Sequence, residues 1–384
     1  MTGPLTGIRV IDLTTVISGP LATMTLGDQG ADIIKIEQPN GGDFSRQVAT
    51  RRAGFSASFL NNNRNKRSVT LDLKATADLE AVHTMVKKSD VFIQNFRPGV
   101  AERLGLGYDA LSALNPKLIY VSIAGFGHTG PLAQQPVYDP LIQAISSLTT
   151  VQAGSDEDRP RLVRTILPDK LTGIQTSQAI AAALFAREKS GKGQHIQISM
   201  LDVLIAFLWS SDMNGHTFVG DELEREEAQS YIDLIYEVED GFVSIAVMQD
   251  KQWHGFATAV NRPELLQDAR FATPELREVN RDARLNTIQD AVRDFAAADL
   301  VALLDAENVP NAPVLSRTQM RNHPQVQANG IVVETPHPTA GLLRQAKHPA
   351  NFSKTPASIR RPAPALGAHT DEVLAEFGIS RPAG

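Results

Sequence analysis

The chain of 384 residues contains no cysteine. Disulfides, cysteine–zinc sites, iron–sulfur clusters and thiol nucleophiles are thereby excluded. A nucleophile, if the protein uses one, must be Ser, Thr, Lys, Asp, Glu, His or Tyr. Aromatic residues are scarce, at 6%. No apolar run approaches the roughly 20 residues needed to span a bilayer. The opening MTGPLTGIRVIDL lacks a basic stretch leading into an apolar one, so no signal peptide is expected and the cytoplasm is the expected location. The phosphate-binding pattern G-x-x-x-x-G-K-[ST] is missing, as are G-x-S-x-G and H-E-x-x-H, and the one G-x-G-x-x-G spacing, Gly125 to Gly130, falls in a stretch that reads as a loop. The nine His residues are scattered without ligand spacing, so no metal site is expected. The net charge of -6 gives no global reason to expect a nucleic-acid partner.

What is present reads as a globular chain, with 42% hydrophobic and 21% charged residues. Ile8 to Leu13 is a short apolar strand, Pro20 suits a helix start over Leu21 to Asp28, and Asp32 to Glu37 is the next strand. Strands follow at Arg67 to Leu73, Val91 to Gln94, Leu118 to Ile123 and His195 to Ser199. Helices are expected at Ala77 to Lys88, Tyr108 to Leu114 and Thr172 to Glu188, with a loop over Gly125 to Pro140. Such alternation argues for an α/β fold with a mostly parallel sheet. A boundary is expected between Gly215 and Glu227, where the chain turns polar and acidic. The expected domains are residues 1–215, completed by a tail from 325 to 384, and a smaller α/β domain over 228–316. The tail from Pro324 is rich in Pro, His and Ala and reads as extended.

Several residues could carry chemistry. Arg64, Lys66, Arg67 and Lys74 form one basic cluster, and Arg97 and Arg103 follow beside Asn95 and Phe96. Arg97 comes just after an expected strand end, where open parallel sheets bind their ligands. Such groups could hold phosphates, with Phe96 covering a flat ligand face; an ordinary solvated basic face is the plainer alternative. Asp169 precedes the Ala-rich helix. It reads either as a cap for free backbone N–H groups or as a carboxylate nucleophile. Tyr138-Asp139 is either a turn or a ligand-contacting pair, and His369 either a base or a surface residue of the tail.

The ordered series of short motifs resembles the family III coenzyme A transferases, the group of formyl-CoA transferase and carnitine CoA-transferase. The series is Gly7-Ile8-Arg9-Val10-Ile11-Asp12-Leu13; Gly19-Pro20; Gly30-Ala31-Asp32; Gly42-Asp43; and Asn65-Lys66-Arg67-Ser68 with Leu71-Asp72-Leu73-Lys74. It continues through Asn95-Phe96-Arg97-Pro98-Gly99, Gly125-Phe126-Gly127, Gly130-Pro131, Asp169 with Gly173, and Gly191-Lys192-Gly193-Gln194, ending at Ala363-Pro364-Ala365-Leu366-Gly367.

The resemblance implies a Rossmann-like large domain, a smaller α/β domain and an interlocked homodimer. It implies acyl-CoA and a carboxylic acid as substrates, with no tightly bound cofactor. Asp169 matches the catalytic nucleophile. Val16, Leu71, Lys74, Asn95, Phe96, Arg97, Arg103 and Tyr138 match positions that contact CoA. Gln38 and Pro136 depart from the Arg and Lys of the formyl-CoA transferases. The alternative of the same fold is a 2-methylacyl-CoA racemase, whose His in a G-H-D sequence is replaced by Val137-Tyr138-Asp139. A non-enzymatic acyl-CoA-binding protein is the alternative of another class, and it would have no need of Asp169.

Overall fold

The computed structural model describes residues 3–48, 50–154, 156–220 and 234–380. Among them the chain divides into two compact units: Met1–Gln152 with Arg159–Glu226 and Asn329–Gly384, and Ala153–Asp158 with Glu227–Ala328. The expected boundary between Gly215 and Glu227 lies largely outside the described residues, as do the first residues of the expected 228–316 domain.

The first unit is built on six parallel strands. They are β1 (Arg9–Asp12), β2 (Asp32–Glu37), β3 (Lys66–Thr70), β4 (Val91–Gln94), β5 (Ile119–Ala124) and β6 (Gln194–Ser199). Their order across the sheet is β3-β2-β1-β4-β5-β6. Every adjacent pair is parallel. Parallel sheets are covered on both faces, so their strands need no polar alternation. Accordingly Val10, Ile11, Ile33, Ile34, Val91, Phe92, Ile93, Ile119 and Val121 are all fully buried. One apolar cluster gathers Ile11, Ile34, Phe92 and Tyr120 with Leu106 and Phe377, and another gathers Val10, Ile33, Ile93 and Val121 with Ile180 and Leu184. The chain winds outward from β1 through β2 and β3, then resumes at β4 on the other side. The loops after β1 and β4 therefore diverge, and a crevice opens between them at the carboxyl ends of the strands.

Beneath that crevice lies a cluster of charges with no exposure at all. Lys66 Nζ sits 3.1 Å from Asp12 Oδ2, and Lys35 Nζ sits 2.9 Å from Asp43 Oδ2. Burial by itself would raise the Asp12 carboxyl, but Lys66, Lys35 and the hydroxyls of Thr14 and Thr23 outweigh it and hold it below the ordinary value. Burial pushes the Lys66 ammonium down to about 8, against the pull of Asp12. Charges this deep persist only when paired and hydrogen-bonded. Lys66 accordingly donates to the Pro20 carbonyl and to Asn63, and Lys35 to the Thr14 carbonyl.

This arrangement corrects the basic-cluster reading. Arg64 pairs with buried Asp28, and Arg67 with Asp32, Glu372 and Glu376. With Lys66, they are consumed inside the fold because strand β3 has carboxylates packed against both sides. Of the four clustered cations only Lys74 is exposed.

Asn65, left-handed at φ 60, clips the tail to the sheet. Its Oδ1 accepts from the backbone N–H groups of Arg360 and Arg361, and its Nδ2 donates to the Ser358 carbonyl. The tail is not extended throughout: it folds into a hairpin of Val332–His337 with Gly341–Ala346, runs irregularly, and closes with a helix at Thr370–Phe377. His369 Nδ1 accepts from the Ser68 N–H, so it belongs to this docking and not to the crevice.

In the second unit, three antiparallel strands, Ile235–Val238, Gly241–Ile245 and Asn311–Pro313, pack on helices Asp250–Ala259, Arg281–Val292 and Ala297–Ala306. The core holds Trp253, Phe256 and Phe271. Gln252 Oε1 accepts from the N–H groups of Met248 and Gln249, which closes the start of the first of these helices.

Removing one member of a buried ion pair strands the other, at a cost of about 3–5 kcal/mol. Lys66→Met is therefore expected to shift the urea midpoint sharply downward at unchanged slope. An unchanged midpoint would show that the pair contributes nothing to stability.

Candidate active site

The crevice is a cleft of about 340 Å³ lined by the loops after β1, β4 and β5 and by the start of the helix Leu167–Ser190. The first wall is the segment Thr15–Ser18. Val16 has φ 73, a genuine outlier for a β-branched residue. Its backbone N–H donates to Asp43 Oδ1 at 3.1 Å, and Asp43 is itself held by Lys35. Strain of this kind survives only where the surroundings over-determine it. Thr15 is held as well: its N–H donates to Asn95 Oδ1, and Asn95 Nδ2 donates back to its carbonyl. The first and second walls are thus tied to each other through Asn95.

The second wall is Asn95–Pro98, with the Arg97 side chain exposed. Gly99 turns the chain away at φ 82, a conformation suited to Gly, and starts the short helix Val100–Arg103. The third wall comes from Gly125, Phe126 and the stretch Gln135–Tyr138, with buried Met200 behind.

Asp169 faces this space from the first turn of its helix. Gly173, one turn later, lets that helix come against the helix Ser18–Asp28: a Cβ there would lie 2.8 Å from the Ser18 carbonyl oxygen. The close approach brings Asp169 to the start of the second helix. Burial raises the Asp169 carboxyl to about 6, helped by the like charge of Asp139, while the Ser18 hydroxyl and N–H pull it down. Asp139 is buried, accepts from the Asp169 N–H at 3.3 Å, and is itself raised by burial. The ordinary aspartate value of about 3.9 therefore does not describe Asp169. The carboxylate is still mostly ionised at neutral pH, and more basic than a solvated one.

Of the residues singled out in the sequence, the fold gathers Val16, Asn95, Phe96, Arg97, Tyr138 and Asp169 around one cleft. Pro136 lines it too. Leu71, Lys74 and Arg103 lie outside its lining. Leu71 is buried in the core, while Lys74 is exposed on the loop after β3 and Arg103 is exposed at the end of the helix Val100–Arg103. Gln38 is exposed and donates to the Gly42 carbonyl. Sequence reasoning missed Ser18 and Thr15, whose motif Gly19-Pro20 was legible but whose contacts are long-range. It also left Asp139 undecided. Among the described residues, no group of three or more His, Asp or Glu is placed to hold a metal ion.

The description "CoA-transferase family III" fits residues 5–370 as a family model. The chain belongs to CoA-transferase family III. Membership makes it a transferase enzyme. The succinate–glutarate CoA-transferase of Agrobacterium fabrum is 36% identical over 97% of this chain and 96% of its own length. The acetyl-CoA:oxalate CoA-transferase of Acetobacter aceti is 37% identical over 87% of this chain and 86% of its own. The crystal structure of a CAIB/BAIF family protein from Brucella suis superposes with a TM-score of 0.86, at 32% identity, covering 98% of this chain and 100% of that one. Among the described residues, no helix of this family member is long and apolar enough to cross a membrane.

The raised Asp169 value has a consequence for stability of defined sign. A carboxyl raised in the folded state binds its proton more tightly there than when unfolded. Stability is then lost as pH rises from the unfolded value through the folded one. Asp169→Asn is accordingly expected to unfold at higher temperature than the wild type at pH 8, with the difference vanishing near pH 3.5. A lower melting temperature at pH 8 would contradict the assigned shift.

Proposed function

We propose that the protein transfers CoA from an acyl-CoA donor to a free carboxylic acid through a covalent intermediate on Asp169. The observation that carries this is the placement of Asp169: a carboxylate with its affinity for a proton raised to about 6, facing a cleft whose other wall presents Arg97 and Phe96. A carboxylate needed only as a helix cap would gain nothing from a second carboxylate, Asp139, against its own N–H.

The chemistry balances without an outside energy source. An Asp169 oxygen attacks the thioester carbonyl, the C–S bond breaks, and CoA leaves as the thiolate. The product is a mixed anhydride between the acyl group and Asp169. The thiolate then attacks the aspartyl carbonyl and expels the donor acid, leaving an aspartyl thioester. The acceptor acid repeats both steps in reverse, and free Asp169 returns. Burial makes the attacking oxygen more basic, and the Ser18 hydroxyl and N–H bond the Asp169 carboxyl, where negative charge gathers when the thiolate or the acceptor acid attacks the aspartyl carbonyl. Arg97 supplies charge for the phosphates, and Phe96 a flat apolar surface. Leu71, Lys74 and Arg103 belong to this reading as contacts farther along the nucleotide, beyond the cleft itself. No tightly bound cofactor is needed. The relatives named for succinate, glutarate and oxalate support small carboxylic acids as donor and acceptor. A racemase would need an acid–base pair across the acyl α-carbon; the cleft presents Tyr138 at the position where that His is expected.

A second copy of the chain is part of this reading. Ile174, Phe185, Phe207 and Trp209 lie on two consecutive long helices and are between 46% and 64% exposed. Apolar surface of this extent fits an interface, and the interlocked homodimer offers one. Light scattering is expected to give twice the mass of one chain; a monomer at micromolar concentration would remove this part of the proposal.

Asp169→Ala is expected to abolish acyl exchange while CoA still binds. Hydroxylamine added during turnover is expected to leave a hydroxamate on Asp169, detected by peptide mass spectrometry. Near-normal turnover in the variant would show that another group is the nucleophile. Incorporation of solvent deuterium at the acyl α-carbon without any acceptor acid would point to the racemase.

A further inference from the structure

The Phe96–Arg97 wall is tethered from behind by side chains on three neighbouring strands. Gln94 on β4 is paired in register with Ser122 on β5, and His195 on β6 lies on the same face two residues from the partner of Ser122. Gln94 Oε1 accepts from the Phe96 N–H at 2.7 Å, and Gln94 Nε2 donates to Ser122 Oγ at 3.2 Å. Ser122 Oγ lies 2.9 Å from His195 Nε2. Gln94 and Ser122 are each 5% exposed.

The direction of these bonds is fixed by what each group can do. Phe96 N–H can only donate, so the Gln94 amide must turn its oxygen to Phe96 and its NH2 to Ser122. The Ser122 oxygen then accepts from Gln94, with a second lone pair and its proton left for His195 Nε2 and the Tyr120 hydroxyl. The surroundings favour a neutral imidazole at His195. Burial lowers the His195 value first, and His128 lowers it further, against Glu102 and Asp109. Tyr108 stacks on the ring at 4.9 Å, and Tyr120 meets it edge-on at 4.9 Å.

We propose that Ser122 is a positioning residue for the CoA thioester, holding the Phe96–Arg97 wall through Gln94. This rests on the reading that the cleft holds CoA. Ser122 Oγ fixes the Gln94 amide by its NH2, and the amide oxygen is thereby held on the Phe96 N–H.

Ser122→Ala cuts the chain at its middle. The KM for the acyl-CoA is expected to rise about five- to tenfold, the equivalent of one neutral hydrogen bond, with kcat at saturation within about twofold of wild type. An unchanged KM, or a fall in kcat alone, would overturn the assignment. Ser122→Thr keeps the hydroxyl on the same strand position and guards against misfolding in the first variant. Its KM for the acyl-CoA is expected to return to within about twofold of wild type. A KM as high as that of Ser122→Ala would overturn the assignment. Failure of the wild type to bind CoA at any pH would instead strike the proposed function.

Discussion

The site depends on a pair of ion pairs that water never touches. Lys66 opens β3 and reaches Asp12 at the end of β1, and Lys35 within β2 reaches Asp43 in the loop that follows, both pairs fully enclosed. Part of their remaining hydrogen-bonding capacity goes to the segment 14–16, which leads into the first wall of the cleft. Asp12 Oδ1 accepts from both the N–H and the hydroxyl of Thr14, Lys35 holds the Thr14 carbonyl, and Asp43 holds the Val16 N–H. A left-handed valine is thereby kept in the wall of the cleft that Asp169 faces. A well-packed apolar core of the same volume could match these pairs in stability. It could not fix the direction of a backbone N–H, and that directionality is what the charged arrangement contributes.

The cleft is then assembled by elements that converge from distant parts of the chain. Asn95 ties its own loop to Thr15, Gly173 lets two helices approach until Asp169 meets Ser18, and Asp139 closes the far side. Each contact crosses tens of residues of sequence. The electrostatics follow from this convergence: a carboxylate holds its proton more tightly when burial and a like charge make ionisation costlier. The same environment leaves it unprotonated at neutral pH, because the shift stops near 6.

Much of the fold was legible in advance. The strands Asp32–Glu37 and Val91–Gln94 and the helix Tyr108–Leu114 coincide with their apolar periodicity, because buried parallel strands and amphipathic helices write their pattern locally. The basic cluster misled for an equally physical reason. Arg64, Lys66 and Arg67 look solvent-facing in a sequence, since cations are rarely buried, and only their partners Asp28, Asp12 and Asp32 overturn that expectation. The tail misled likewise: its Pro-rich composition hid a hairpin that forms by packing His337 and Ala340 against Phe55 and Ala363.

By itself, the sequence determined the alternation of strands and helices, the exclusion of thiol chemistry, the family and the identity of Asp169 as the residue to watch. These are properties of local pattern and of residue type, which a linear string carries in full. The tertiary structure alone decided which cations the core consumes, how far Asp169 departs from an ordinary aspartate, and which backbone groups stand around it. Those depend on burial and on the distance between charges, and neither exists until the strands have found their order.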